Sequence, residues 1–461
     1  MLFSSIPFLY YFLPGVLICH ALVPRRWKNG VLLAFSLLFY GWGEPKLLGL
    51  MVFTIGVFYI CGLAISRTQS QNRRKFWLTV SVVTGLALLG LFKYADFFIG
   101  SVNAVTGLSL PLLKLALPVG ISFYTFQCLS YTVDVYRGNV PVQKSIVNFG
   151  AYVALFPQLI AGPIVRYADI ARELDERNSS WEDIAYGLRR FLVGLGKKVL
   201  LADNFALLCR VFRESSEPSV LFYWMYAAAF CLNLYFDFSD YSDMAIGLGR
   251  VLGFHFVENF NYPYISKSVT EFWRRWHMSL GTWFRDYVYI PMGGNRVSRK
   301  RWVFNILTVW MLTGAWHGAA WNFVLWGLVF AVLLLAEKWI PGLQKLPGLL
   351  RHGYVLLAVM LSFVLFNAES LAQAGNDILS LFGLSGLPLV SEPTLYYLRS
   401  YAGLFAAGVI GATPLVSRVA DQLRKGPLGF VLELVLMVLL LLACTAYLVD
   451  GSFSAFLYFR F

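Results

Sequence analysis

Charge is scarce in this sequence. Only 14% of its 461 residues are charged, 58% are hydrophobic, and the mean hydropathy is +0.64. Soluble domains carry about 25% charged and about 45–50% apolar residues. The apolar excess lies in runs of the length that crosses a bilayer, about 20 residues. The composition therefore argues against a water-soluble fold and predicts an all-α integral membrane protein.

The apolar runs set the expected architecture. By length, roughly ten to twelve of them qualify as membrane-spanning helices, and shorter mixed stretches suit interfacial or re-entrant helices. The sequence contains no internal repeat, long linker or low-complexity segment between them. We therefore expect a single membrane domain over residues 1–461.

Several motifs of soluble catalysts are missing. The sequence contains no Walker A loop, no His-Glu-x-x-His and no Gly-x-Ser-x-Gly. Their absence argues against a P-loop nucleotide site, a zincin and a hydrolase-type serine elbow. The six cysteines form no Cys-x-x-Cys pair, so neither a zinc framework nor a disulfide framework is expected.

Lys and Arg outnumber Asp and Glu, which gives a net charge of +13. Lys and Arg gather in the cytoplasmic loops of membrane proteins. The first apolar stretch, from Leu2 to Val23, is preceded by no basic residue and followed by Arg25, Arg26 and Lys28. This pattern predicts an uncleaved first helix with its N-terminus outside. No nucleic-acid motif accompanies the charge, so no nucleic-acid partner is expected.

One polar segment interrupts the apolar pattern between Glu271 and Arg296. A charge at mid-bilayer costs at least about 2.5–3.5 kcal/mol. We therefore expect this segment at the interface or along a wet cavity, where its Trp and Tyr residues also fit. Glu271 and Arg275 are four residues apart and are predicted to pair on one helix face.

His317 lies within an apolar run from Val303 to Leu335. One straight helix of that length would be about 50 Å long, well beyond a hydrocarbon core of about 30 Å. The run must tilt or break, and Gly314 and Gly318 are the expected places; this glycine pair also favours close helix packing. His317 then faces protein or water, either as a chemical group or as a neutral histidine bonded to a neighbouring helix.

Two other polar positions are more ambiguous. His277, by itself, fits a solvated interfacial belt better than a site. Asp237, Asp240 and Asp243 directly follow an apolar run. They could bind a metal, but a helix N-terminus or loop at the membrane surface is the better explanation.

The motifs resemble those of the bacterial membrane-bound O-acyltransferases, and above all the alginate O-acetyltransferase branch. The segment from Glu271 to Leu280 reads Glu-Phe-Trp-Arg-Arg-Trp-His-Met-Ser-Leu, and Trp316-His317-Gly318 resembles the second signature of the family. Asp240 departs from the pattern, because relatives usually have glycine there. The resemblance extends from near the N-terminus to about Phe330, through further matching segments at 117–123, 134–138, 156–157, 161–163, 235–239, 241–247, 283–287 and 293–296.

The resemblance implies a multi-helix bundle with a central tunnel, a family core over about 1–335 and C-terminal helices over about 336–461. It assigns catalysis to His317, as the general base, and a second functional position to His277. His277, Trp316 or Asn322 would stabilise the oxyanion.

Donor binding is expected in the polar segment. Arg274, Arg275 and Arg285 would bind the phosphates of the donor, or else pair with Glu271 and Asp286 and contact lipid headgroups. No metal and no permanently bound cofactor is expected. The donor would be acetyl-CoA or a carrier-bound acyl thioester.

The implied protein is a multi-pass enzyme of the bacterial inner membrane with a periplasmic N-terminus. It would pass acetyl groups toward an exported polysaccharide such as alginate or cellulose, through a periplasmic or membrane-tethered partner. D-alanyl transfer, peptidoglycan acetylation and a non-enzymatic subunit of a polysaccharide exporter remain open.

Overall fold

The computed structural model describes residues 2–451, which form helices and connecting segments without a β-strand. This all-helical fold agrees with the class predicted from composition. The α-helices up to the middle of the chain are Leu13–Leu22, Lys28–Gly43, Leu48–Arg67, Gln71–Leu89, Ala95–Thr106, Ile121–Arg137, Ile146–Ala154, Tyr167–Asp175, Trp181–Gly196, Asp203–Glu214 and Val220–Val251. Those after it are Val269–Trp273, Met278–Phe284, Arg299–His317, Trp321–Trp339, Pro341–Lys345, Gly348–Asn367, Leu371–Leu381, Glu392–Gly411, Leu415–Arg424 and Gly429–Val449.

Six helical segments among the described residues are long and apolar enough to cross a membrane. A seventh is obtained if Glu392–Gly411 and Leu415–Arg424, bent by 71°, are one broken span. The number is below the ten to twelve expected, because several predicted spans form shorter helices. Lys28–Gly43 has 16 residues and Ile121–Arg137 has 17.

The described chain divides into two compact units. Unit 1 comprises 1–191 and 241–258, and unit 2 comprises 192–240 and 259–461. Both histidines of the predicted site belong to unit 2. A single membrane domain over the whole chain stays a prediction.

Unit 1 is packed around aromatic side chains, with Phe8, Phe39 and Phe156 fully or almost fully buried. Its charged residues pair with one another: Arg190 contacts Asp243 at 2.9 Å and Glu258 at 2.5 Å. Asp243 therefore has a structural partner within its own unit.

The acidic stretch from Asp237 to Asp243 is neither a loop nor a helix N-terminus, contrary to our expectation. It lies inside the 32-residue helix Val220–Val251. In unit 2, Asp237 contacts the ammonium of Lys198 at 2.7 Å, and Asp203 contacts the same ammonium at 2.8 Å. A buried lysine thus supplies the charge that allows an acidic residue inside a long apolar helix.

The predicted break near Gly314 and Gly318 is confirmed. The helix Arg299–His317 ends at Gly318, whose backbone is extended, and a second helix begins at Trp321. The two helices pack backbone against backbone, because a methyl group on Gly314 would overlap the Phe323 carbonyl. Side chains larger than hydrogen would separate this helix pair.

The polar segment after Asn259 consists of short helices. Val269–Trp273 and Met278–Phe284 are followed by a π-helical turn over Arg285–Tyr289. The carboxylate of Glu337 holds the start of the first helix, accepting hydrogen bonds from the backbone N–H groups of Val269 and Thr270. A distant helix end thereby satisfies N–H groups that have no partner within so short a helix.

Candidate active site

Two histidines that are 40 positions apart in sequence meet in the core of unit 2. The ring centroids of His277 and His317 lie 6.4 Å apart, at an interplanar angle of 64°. His277 is 1% exposed and His317 is 4% exposed. The site therefore consists of two buried imidazoles. The solvated setting favoured for His277 from the residues alone is wrong.

His317 owes its position to the glycine after it. It is the last residue of the helix Arg299–His317, and Gly318 leaves the helical conformation directly afterwards. A methyl group on Gly318 would overlap the ring of Phe323, so the turn closes tightly against the next helix. The result fixes an imidazole at a helix end within the protein interior.

His277 has an unusual backbone conformation. Its φ of 45° and ψ of 52° lie in the left-handed region, which is unfavourable for most residues that carry a Cβ. The conformation reverses the chain between the helices Val269–Trp273 and Met278–Phe284. A hydrogen bond from Met278 N to the backbone O of Asn259, at 2.9 Å, holds the reversal.

Asn259 determines which nitrogen of His277 carries the proton. Its Oδ1 atom lies 3.0 Å from His277 Nδ1, and the backbone N–H and hydroxyl of Ser279 also donate to it, at 3.3 and 2.9 Å. A backbone N–H cannot accept a hydrogen bond, so the Asn259 atom is the oxygen. His277 must then donate from Nδ1, and in the neutral ring Nε2 carries the lone pair.

The Nε2 atom of His277 is buried and has no hydrogen-bond partner among residues 2–451. Burial lowers the pKa of His277 well below its usual value, and His317 adds to the effect. Because the charged form is disfavoured, the ring is neutral near pH 7. The site therefore presents a basic nitrogen to whatever occupies the space beside it.

Aromatic rings enclose the pair. Phe238 packs edge-on against His277 with centroids 4.7 Å apart, and Trp316 lies 5.7 Å from the same ring. Trp326 and Phe366 lie 5.1 and 5.5 Å from His317. This apolar shell excludes water from the imidazoles and strengthens electrostatic interactions inside the site.

Trp316 and Asn322, two of the three residues expected as oxyanion donors, have different surroundings in the structure. Trp316 is buried and its ring borders both imidazoles. The amide of Asn322 instead donates to the backbone carbonyls of Phe366 and Ala368, at 3.3 and 2.9 Å. Asn322 therefore connects two helices, and its side-chain donors are already engaged.

Two of the three predicted donor-binding arginines pair with acidic residues of their own segment. Arg275 forms the expected ion pair with Glu271, at 3.0 Å, and also donates to the Asn261 carbonyl. Arg274 is exposed.

Farther along the segment, Arg285 contacts Asp286 at 2.7 Å and its side chain is 59% exposed. Arg275 and Arg285 thus form the ion pairs with Glu271 and Asp286 that were expected as the alternative to phosphate binding. A phosphate-binding role for the three arginines stays a prediction.

Sequence reasoning missed four residues of the site: Asn259, Phe238, Trp326 and Phe366. Asn259 precedes the recognised motif by 12 positions and carried no signal of its own. The aromatic residues looked like ordinary apolar residues of spanning helices. Only the three-dimensional fold brings them to the histidines.

The chain is similar to known proteins over most of its length. Residues 113–371 match the model of the membrane-bound O-acyltransferase family, and this range contains both histidines. The chain is 40% identical to a probable alginate O-acetylase of Azotobacter vinelandii, covering all of both chains.

Two other relatives carry different names. A peptidoglycan O-acetyltransferase of Helicobacter pylori is 33% identical, over 84% of this chain and 79% of its own length. A teichoic acid D-alanyltransferase of Bacillus subtilis is 29% identical, over 53% of this chain and 65% of its own. With a family match over more than half of its length and relatives matched across all of it, this chain belongs to the membrane-bound O-acyltransferase family.

Proposed function

We propose that this O-acyltransferase moves acetyl groups from a cytoplasmic thioester, across the bacterial inner membrane, toward an exported polysaccharide of the alginate or cellulose kind. The buried pair of His277 and His317 carries the proposal. The relative matched over its full length is named a probable alginate O-acetylase, which favours acetyl transfer to a polysaccharide.

The proposed chemistry is a direct acyl transfer. The acceptor hydroxyl loses its proton to neutral His317 as its oxygen attacks the thioester carbonyl. A C–O bond forms, the C–S bond breaks, and the departing sulfur takes the proton back from the imidazole. A positioned general base of this kind contributes about 10²–10⁴-fold to the rate.

The geometry changes the role proposed for His277. An oxyanion needs a donor, but the Nε2 atom of neutral His277 carries a lone pair, because Asn259 holds the proton on Nδ1. We therefore assign to His277 the acceptance of a hydrogen bond that orients the incoming hydroxyl. The indole N–H of Trp316 is the donor we assign to the oxyanion.

The proposal includes acetyl-CoA as donor, without a resident metal or cofactor. A periplasmic or membrane-tethered transferase would complete the modification of the polymer. The N-terminus is proposed to face the periplasm, as the basic residues after the first apolar stretch indicate. The family core over 1–335 would hold both histidines, and C-terminal helices over 336–461 would complete one membrane domain.

The D-alanyl alternative predicts a carrier-bound donor, and its relative matches only 53% of this chain. Peptidoglycan acetylation differs in the acceptor alone. An exporter subunit would need no base, which makes the buried basic nitrogen of His277 an argument for the enzyme.

The deciding experiment uses purified protein in detergent with acetyl-CoA labelled in its acetyl group. Thioester loss and label transfer are followed for the native chain, for His317→Ala and for the control His255→Ala, whose histidine pairs with Glu173 at the surface. We expect the native chain and the control to consume acetyl-CoA and His317→Ala to lose at least about a hundredfold in rate.

Equal rates in all three proteins would contradict the base role of His317. If none consumes acetyl-CoA while a carrier-bound thioester is consumed, the D-alanyl alternative replaces the proposal. Equal folding of the variants is checked by thermal unfolding before the rates are compared.

A further inference from the structure

A second polar site lies within unit 2, away from the histidines. It is a cavity of about 430 Å³, lined among others by Lys267, Lys338, Gln344 and Arg351. These residues come from the loop before Val269–Trp273, from the end of Trp321–Trp339, and from the next two helices. Three cations from separate elements thus converge on one cavity.

The charge of this cavity is unbalanced. Glu337 is its one carboxylate among the described lining residues, and its oxygens already accept hydrogen bonds from the backbone of Val269 and Thr270. Within residues 2–451, neither Lys267, Lys338 nor Arg351 forms an ion pair. The buried Nε atom of Arg351 also has no hydrogen-bond partner there. Such a group of cations is suited to a multiply charged anion.

The distance from the cavity to the histidines can be read along one helix. Trp326 packs on His317, and Leu334, on the cavity wall, follows it by eight positions in the helix Trp321–Trp339. At 1.5 Å per residue the separation along the axis is about 12 Å. An extended chain covers about 3.5 Å per three bonds, so a linker of about a dozen bonds spans roughly 14 Å. The pantetheine arm of coenzyme A has about that number of bonds between its phosphate and its sulfur.

The cavity lies at the basic end of the helix pair. Lys338 approaches the ring of Trp302, and Arg299 lies over Trp339. The start of Arg299–His317 therefore lies beside the end of Trp321–Trp339. That start carries Arg299, Lys300 and Arg301 in succession. The excess of basic residues places this end on the cytoplasmic side, where a soluble thioester is available.

We propose that this cavity binds the phosphates of the thioester donor, with the arm of the donor extending toward the histidine pair. The inference rests on the proposed function and names the donor subsite of that same reaction. The headgroup of an anionic lipid offers the same chemistry, so the experiment must separate the two sources.

The kinetic test compares two donors that share the reacting arm. Acetyl-CoA carries the phosphates, and S-acetyl-pantetheine lacks them. For Arg351→Gln and Lys338→Gln we expect the KM for acetyl-CoA to rise about tenfold, the loss of one charge-assisted hydrogen bond. The kcat, and the KM for S-acetyl-pantetheine, should stay as in the native chain. Lys345→Gln, an exposed lysine of the same region outside the cavity lining, is the matched control.

A binding measurement keeps the result independent of turnover. Equilibrium binding of adenosine 3′,5′-bisphosphate, the phosphate-bearing nucleotide without the arm, is measured in lipid-free detergent. Native protein and Lys345→Gln should bind it, and Arg351→Gln should bind it about tenfold more weakly. This outcome supports the cavity even if acetyl transfer itself fails, which would count against the proposed function alone.

Two outcomes would overturn the inference. One is equal binding of the nucleotide by native protein and Arg351→Gln, or no binding by either. The other is an effect of Arg351→Gln on both donors alike that appears only when anionic lipid is added. The second result would assign the cavity to a lipid headgroup.

Discussion

At the scale of single residues, Asn259 provides one side-chain oxygen for three donors. His277 Nδ1 and both donors of Ser279 converge on it. The contact sets the tautomer of His277 and, with it, the face of the ring that can accept a proton or hydrogen bond. Asn259 acts through His277 and is therefore a positioning residue.

Substitution of Asn259 should change the pH dependence of the reaction. In Asn259→Asp, a carboxylate beside Nδ1 favours the charged imidazole and raises the pKa of His277. Activity should then disappear at a higher pH than in the native protein, because protonation removes the lone pair on Nε2. The acid limb of kcat/KM against pH measures this shift.

Asn259→Leu serves as the contrasting variant. It removes the acceptor, so we expect a lower kcat without an upward shift of the acid limb. If both variants lose activity equally and keep the native profile, Asn259 has only a structural role.

The buried carboxylate of Asp240 is a second feature at this scale. It is 0% exposed, and none of the described residues donates a hydrogen bond to either oxygen. Asp237 and Lys198 lie within electrostatic reach. The Lys198 ammonium, which already forms ion pairs with Asp203 and Asp237, therefore lies near a third acidic residue.

We expect Asp240→Asn to keep or raise the thermal unfolding temperature, because it replaces a buried carboxyl group whose oxygens accept no hydrogen bond from the described residues. Lys198→Met should instead destabilise the protein by about 3–5 kcal/mol, since it leaves the buried carboxylates uncompensated. Thermal unfolding in detergent distinguishes the two, with Asp243→Asn as the control for an acidic residue elsewhere in the same helix. A clear loss of stability in Asp240→Asn would contradict this account.

At the scale of helices, the hairpin of Arg299–His317 and Trp321–Trp339 depends on small residues at its contact. A methyl group on Gly327 would overlap the Trp310 carbonyl, as one on Gly314 would overlap that of Phe323. Gly314, at this contact, belongs to the last turn of the helix that ends at His317. Helix packing and site geometry are therefore linked here.

Gly314→Ala and Gly327→Ala should each destabilise the protein by about 1–3 kcal/mol through overpacking, and should lower kcat as His317 shifts. Gly353→Ala is the matched control, because a methyl group there meets no atom within 4 Å and alanine favours the helix. Thermal unfolding and acetyl-CoA turnover are measured on the same preparations. Native-like behaviour of the two hairpin variants would show that the helices separate at little cost.

The sequence predicted this element better than it predicted the site. Gly314 and Gly318 within an overlong apolar run were sufficient to place the helix break, and with it His317 beside the end of a helix. The burial of His277 could not be predicted from local pattern, because its neighbours Arg274 and Arg275 belong equally well to an interface. Its burial depends on Asn259 and Phe238, which periodicity cannot connect to it.

The number of long apolar helices among the described residues is smaller than the number of spans predicted, for a related reason. Hydropathy responds to apolar residues facing protein as well as to those facing lipid. Ile121–Arg137, for example, is buried along almost its whole length and has 17 residues. A helix enclosed by other helices does not need the length that crossing lipid requires.

At the scale of the whole molecule, the distribution of basic residues predicts which ends face the cytoplasm. In a background without the native cysteines, Lys300→Cys and Lys345→Cys should react with a membrane-impermeant maleimide only after the membrane has been permeabilised. Ser5→Cys, near the N-terminus, should react in intact cells, because the N-terminus is proposed to face the periplasm. Labelling of Lys300→Cys in intact cells would reverse the orientation.

The left-handed backbone of His277 has a consequence for chemical rescue. Glycine adopts this conformation without strain, so His277→Gly removes the imidazole and relaxes the backbone in one step. The folded scaffold should tolerate the loss better than it tolerates His277→Ala, and it would retain a ring-sized space lined by Phe238 and Trp316. Small free imidazoles added to the solution could occupy that space, which would make the reaction rate depend on a base chosen by the experimenter.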